Sequence, residues 1–174
     1  GYTTAASYHI GRTEQGTQLD ITIQRIPLPE PHTRHYDYVG EELVAQYRPH
    51  LDNGFCWGLY DENSEELVAL CIASPQEWNQ TLWVWEFHVR EGWRGRGLGS
   101  QLMRHLIGAA TAAGLRALIC ETQHINAPAI DFYRRMGFSL EGLDFSYYTN
   151  DDWPAGDVAV FMKYKIKTKG ATTA

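Results

Sequence analysis

Arg94-Gly95-Arg96-Gly97-Leu98-Gly99 sets three glycines at every second position, between a strand-like run and a helix-like run. Glycine lets a backbone approach a ligand closely and take dihedrals that other residues avoid. A helix N-terminus adds unpaired N–H groups and the positive end of the helix dipole. A phosphate anion suits such a place, and Arg94 and Arg96 can add charge-assisted hydrogen bonds. Just upstream, Glu86 interrupts the apolar-rich run Trp83-Val84-Trp85-Glu86-Phe87, and His88 follows two places on. Strand alternation puts Glu86 and His88 on one face. Glu86 is the first candidate for a proton acceptor, because an aromatic setting can raise its pKa. His88 is the second, because histidine is the side chain most often used to take and return a proton. Glu121 and Asp144 are further acids that can hold a cation or assist as base. For each acid the plain alternative is a solvated surface charge. Trp83, Trp85, Trp153, Tyr147 and Tyr148 can form an aromatic wall beside a cation, or simply belong to the core.

Two other phosphate loops are excluded. A Walker A loop needs GxxxxGK[ST], and no lysine follows these glycines. A dinucleotide fingerprint needs GxGxxG in an early βαβ unit; here the third glycine comes one place early and the loop lies past mid-chain.

The elements around these residues follow from periodicity. Residues 1–17 are small and polar and read as a loose segment. Leu19, Ile21 and Ile23 alternate with polar residues as a strand. Pro27, Pro29 and Pro31 predict a loop. Tyr36, Val39, Leu43, Val44 and Tyr47 predict a helix over 36–47, ended by Arg48-Pro49. Runs at 55–60 and 67–74 flank a polar turn and predict a hairpin. A strand over 82–89 leads into the glycine loop. A helix follows, with Leu98, Leu102, Leu106, Ala109 and Ala113 on one face and Gly114 as its stop. A buried strand over 115–122 precedes a helix that Asn126 caps, with Pro128 in its first turn. Two strands, 138–147 and 158–164, finish the chain. This order predicts an α/β (α+β) fold, with residues 18–166 as a single domain and residues 167–174 as a tail.

The 174 residues suffice for one core. The formal net charge of −6 argues against nonspecific nucleic-acid binding and for cationic ligands. Cys56, Cys71 and Cys120 form no CxxC pair, so no metal ribbon is expected; apolar neighbours suggest reduced thiols and a cytoplasmic setting. No apolar run approaches the ~20 residues that cross a membrane, and the first residues read as no signal peptide.

The glycine loop matches the [QR]xxGx[GA] loop of the GNAT superfamily of N-acetyltransferases. Asn126-Ala127-Pro128-Ala129, Phe132-Tyr133 and Met136-Gly137-Phe138 resemble that family's second CoA-side motif. Glu121-Thr122-Gln123, Gly142, Asp144 and Tyr148 extend the likeness toward the streptothricin acetyltransferases, over the C-terminal half. The resemblance implies a central mixed, mostly antiparallel sheet flanked by helices. It implies acetyl-CoA as acetyl donor, no metal, and a primary amine on a small cationic molecule as acceptor; family members often form homodimers.

It further implies that Arg94, Gly95, Arg96, Gly97, Leu98, Gly99 and Ser100 hold the CoA pyrophosphate, with Asn126 and Ala129 beside them. Main-chain groups of Phe87, His88 and Val89 would meet the pantetheine and the carbonyl oxygen. Tyr133 becomes the expected acid for the departing thiolate, besides touching the cofactor. Glu86 sits where the family often carries an acid. Two other functions stay open at this point: a protein N-terminal or lysine acetyltransferase, and an acyl-CoA-binding sensor without turnover.

Overall fold

A computed structural model describes residues 1–36 and 40–167. Strands β1 (Tyr2–Gln15) and β2 (Gln18–Arg34) form a two-stranded antiparallel sheet. Helix α1 (Glu41–Tyr47) follows, then strands β3 (Trp57–Tyr60), β4 (Leu67–Gln76) and β5 (Thr81–Val89). Next come α2 (Leu98–Ala112), β6 (Ala117–Gln123), α3 (Ala127–Arg135), β7 (Ser139–Asp144), the short α4 (Asp152–Ala155) and β8 (Ala159–Lys165). Strands β3 to β8 hydrogen-bond in the order β3-β4-β5-β6-β8-β7. The fold is mixed α/β, as the element order predicts. Contacts group the described residues into two units, one of residues 1–36 and 121–162, the other of residues 40–120 and 163–167.

In the first unit, residues 1–17 are not loose. Tyr2, Thr4, Ala6, Tyr8 and Ile10 alternate along β1 and are all buried. Short side chains at alternate positions disguise this period of two as polar sequence. The three prolines also lie within β2, not in a loop. Pro27 stands opposite Ala6, and the next pair is Thr4 with His32. Residues 28–31 therefore face the single residue Ala5, and this bulge absorbs the ladder bonds that Pro29 and Pro31 cannot make. The hairpin is tied to α3 where the Tyr8 hydroxyl donates to Asp131 at 2.7 Å and Arg25 Nη2 pairs with the same carboxylate at 3.0 Å.

In the second unit, α1 is shorter than predicted. It starts after Gly40, and Val39 lies outside the described residues. The chain tightens into a 3₁₀ turn over Arg48–His50, where Pro49 needs no N–H partner. Strands β3, β4 and β5 run antiparallel, and β5 pairs parallel with β6 from Thr81–Ala117 to Val84–Cys120. Between β4 and β5, Ile72 faces Glu86 and Ala73 faces Val84, so Trp85 is an extra residue in β5. Helix α2 buries Leu102, Met103, Leu106 and Ala110. Each large side chain contributes roughly 1.5–3 kcal/mol by leaving water. The unit's core thus fixes both ends of the glycine loop, through β5 before it and α2 after it.

Candidate active site

The loop between β5 and α2 is built from left-handed glycines. Gly92, Gly95 and Gly97 have φ of 81°, 76° and 85°. Gly97 is the N-cap of α2 and supplies no capping side chain. The first helical bond runs from Gln101 N–H to Gly97 C=O at 3.0 Å. The N–H groups of Leu98, Gly99 and Ser100 therefore precede the intrahelical ladder. No acidic side chain stands in the first turn of this 15-residue helix. A Cβ built at Gly95 or Gly97 would meet no protein atom within 4 Å, so the space beside them is open to a ligand. A donor set of free amides at a positive dipole end fits a pyrophosphate. Arg94 turns back, its Nε donating to Val89 C=O at 3.0 Å, and Arg96 lies 4.6 Å above the Trp93 ring.

On β5, Glu86 and His88 do share a face and touch. His88 Nε2 hydrogen-bonds Glu86 Oε2, and the Tyr47 hydroxyl donates to Glu86 Oε1 at 2.5 Å. The side chains are 24% and 55% exposed for Glu86 and His88. Burial pushes the Glu86 carboxyl up, but the hydrogen bonds from His88 and Tyr47, with the charge of His88, outweigh it. The net shift is downward. This corrects the expectation that an aromatic setting raises it. Sequence reasoning missed Tyr47, whose only local signal was a place in a helical apolar pattern. Trp85 Nε1 donates to Ser74 Oγ at 2.8 Å, its ring stacks on His50 at 5.6 Å, and Trp83 lies 5.6 Å away. Phe87 and Val89 face Cys71 and Ala69 of β4.

The remaining candidates belong to the first unit. Asn126 caps α3: its Oδ1 accepts from Ala129 N–H at 3.3 Å, and its Nδ2 donates to Thr122 Oγ1 at 3.1 Å. Tyr133 lies on the buried face of α3, with Phe132 and Phe138 each 5.6 Å from its ring. Glu121 accepts a hydrogen bond from the Tyr148 hydroxyl. Burial pushes the Glu121 carboxyl up, and the Tyr148 bond only partly offsets this. Burial also raises the Tyr147 phenol, as do the charges of Glu121 and Asp144, so both carboxylates act on one ring. Tyr147 packs edge-on against Tyr148 at 5.2 Å and Phe161 at 5.5 Å. Asp144 Oδ1 accepts from Ser146 N–H at 2.9 Å. Trp153 packs on Phe145 at 5.7 Å.

Asp152, only 2% exposed, organises the turn that carries Tyr148. It accepts from Tyr148 N–H at 2.7 Å, Thr149 N–H at 2.9 Å and Thr149 Oγ1 at 2.6 Å. Burial raises this carboxyl, the bonds from Thr149 and the backbone lower it, and the net is downward. Sequence reasoning gave Asp152 no role, since an acid in a polar stretch carries no local sign of burial.

Residues 21–138 match the family described as "Acetyltransferase (GNAT) family". The chain is 42% identical over 97 residues to the streptothricin acetyltransferase of Streptomyces lavendulae, across 56% of this chain and 51% of that protein. The chain thus spans about half the length of that relative. The crystal structure of nourseothricin acetyltransferase superposes with a TM-score of 0.75 at 28% identity, over 95% of this chain and 87% of the other. A Bacillus anthracis protein solved with acetyl coenzyme A has the same fold, with a TM-score of 0.69 at 17% identity over 95% and 88% of the two chains.

Proposed function

The chain belongs to the GNAT acetyltransferase family, and from that premise we propose that it moves an acetyl group from acetyl-CoA to a primary amine of a small cationic molecule of the streptothricin type. The observation that carries the reading is the Gly95–Ser100 cradle: left-handed glycines ending on the uncapped N-terminus of α2. The 42% identity to a streptothricin acetyltransferase directs the acceptor toward that class. The acceptor patch is supported by Glu121 and Asp144, which place negative charge beside the Tyr147 ring.

Bound acetyl-CoA supplies an activated acetyl thioester. The reaction turns an ammonium and a thioester into an amide, a thiol and one proton, and the chain's residues manage that proton. Main-chain N–H groups of residues 95–100 hold the pyrophosphate, with Asn126 and Ala129 as further cofactor contacts. Main chain at Phe87, His88 and Val89 meets the pantetheine and the carbonyl oxygen. The Glu86–His88 pair relieves the acceptor of its proton, because an alkyl ammonium with a pKa of about 10.4 is scarcely neutral at pH 7. Tyr133 carries the proton for the departing sulfur. Glu121 and Asp144 draw in the cation.

The test is thiol release from acetyl-CoA, with streptothricin, free polyamines and a peptide panel as separate acceptors. Release with streptothricin supports the reading in full. Release with peptides alone moves the function to protein acetylation. CoA binding with no release from any acceptor would favour a sensor.

A further inference from the structure

Both oxygens of Glu86 are engaged, Oε1 by the Tyr47 hydroxyl and Oε2 by His88 Nε2. These bonds, with the neighbouring imidazole's charge, hold the carboxyl ionised below its ordinary range despite burial. An ionised carboxylate only accepts hydrogen bonds, so Nε2 of His88 must be the donor. A neutral His88 then carries its proton on Nε2 and a lone pair on Nδ1. No other hydrogen bond engages the ring among the described residues, and the side chain is 55% exposed.

Among the described residues, His88 is the one charge that shifts the Glu86 carboxyl. On β4, the residues opposite Glu86 and His88 are Ile72 and Leu70. From the 3₁₀ turn, His50 is stacked on Trp85. Arg90, two residues beyond His88, is paired with Glu66 at 2.6 Å. Helix α1 contributes Tyr47 itself.

We infer that His88, through Nδ1, is the group that takes the proton from the incoming ammonium, that Glu86 is the fixed carboxylate on Nε2, and that Tyr47 is a positioning residue acting through Glu86. The inference rests on the acetyl-transfer reading above. In the step, one N–H bond of the ammonium breaks and one forms on Nδ1. The nitrogen keeps its electron pair for attack. The imidazolium stays hydrogen-bonded to Glu86 and then returns the proton to water. Glu86 itself is a poor acceptor, because a lowered pKa weakens a base.

Nitrogen-15 NMR of the histidine rings in the free protein reads the tautomer without any turnover. The expected spectrum shows neutral His88 as the Nε2–H form, and Glu86→Ala releases it to a mixture of both tautomers. In kinetics, His88→Gln lowers kcat/KM about 100-fold or more, with CoA affinity unchanged. Tyr47→Phe lowers kcat roughly twofold to tenfold, with KM for acetyl-CoA unchanged. An Nδ1–H tautomer in the wild type would overturn the inference. So would a His88→Gln enzyme that keeps its rate to about twofold, a change too small for a lost general base. If the wild type releases no thiol with any acceptor, the acetyl-transfer reading falls and His88's role with it. The NMR result still reports whether the Tyr47–Glu86–His88 chain exists, so the two failures are told apart.

Discussion

The Tyr148 side chain donates its hydroxyl proton to Glu121, so a phenol and a carboxylate from distant parts of the sequence share one hydrogen. The same tyrosine is held at its backbone by Asp152 at 2.7 Å. Burial drives the Tyr148 phenol far above its ordinary range, and the Glu121 bond and charge push the same way. Tyr148 therefore remains a neutral donor to Glu121.

Glu121→Gln should raise KM for a cationic acceptor about tenfold, the worth of one charge-assisted contact, and leave CoA affinity unchanged. The folded pKa of Glu121 is raised, mainly by burial. Its contribution to stability is full below the unfolded value of about 4.3 and is lost as pH rises through the folded value. The Gln variant should not show that loss. Thermal unfolding of both proteins from acid to neutral pH checks the sign.

Asp152→Asn should act in the opposite direction with pH. The folded pKa is lowered, so Asp152 stabilises above the unfolded value of about 3.9 and the effect is lost as pH falls through the folded value. The variant should melt below the wild type at neutral pH, and the gap should close in acid. A gap that stayed constant to low pH would contradict the carboxylate's role in the 148–152 turn.

Gly97→Val should weaken CoA binding. A side chain at φ 85° is strained, by roughly 1–2 kcal/mol, and its Cβ fills space that is open beside the loop. Titration calorimetry with CoA should show about tenfold weaker affinity. Affinity equal to wild type would remove the loop from the cofactor site.

Tyr133→Phe should lower kcat roughly tenfold to a hundredfold while CoA affinity stays the same. The phenyl ring keeps its packing between Phe132 and Phe138. A variant with reduced CoA affinity and normal kcat would make Tyr133 a binding residue alone.

What the sequence revealed was what is decided locally. The glycine loop, α2 and the Asn126-capped α3 rest on dihedral, capping and periodic signals within a few residues, and the structure carries all three. The contact between Glu86 and His88 follows from alternation and is also present. Strand β1 was hidden because Thr4 and Ala6 look like loop residues until Tyr8 and Ile10 are seen buried with them. The prolines of β2 misled because their tolerance depends on a bulge opposite Ala5. Tyr47 was out of reach because its partner lies 39 residues away. The pKa direction of Glu86 failed in part for the same reason: the aromatic neighbours and His88 are written in the sequence, but the second donor, Tyr47, comes from the fold.

The unmatched Trp85 splits β5 into two halves of opposite parity. Before it, Val84 stands across from the buried Ala73; after it, Phe87 stands across from the buried Cys71. The core-facing set thus passes from even numbers to odd ones in the middle of the strand. Were Trp85 paired in register opposite Ile72, Glu86 would move opposite the buried Cys71 and point where Leu82 and Val84 point. One inserted tryptophan is therefore a phase switch: it lets one uninterrupted strand belong to the core at its start and to solution chemistry at its end. Drawing Trp85 into the ladder opposite Ile72 would exchange the roles of every residue from Glu86 to Val89, turning the acid and the imidazole inward and two hydrophobic side chains out, whereas deleting it would leave the observed pairs and their faces as they are.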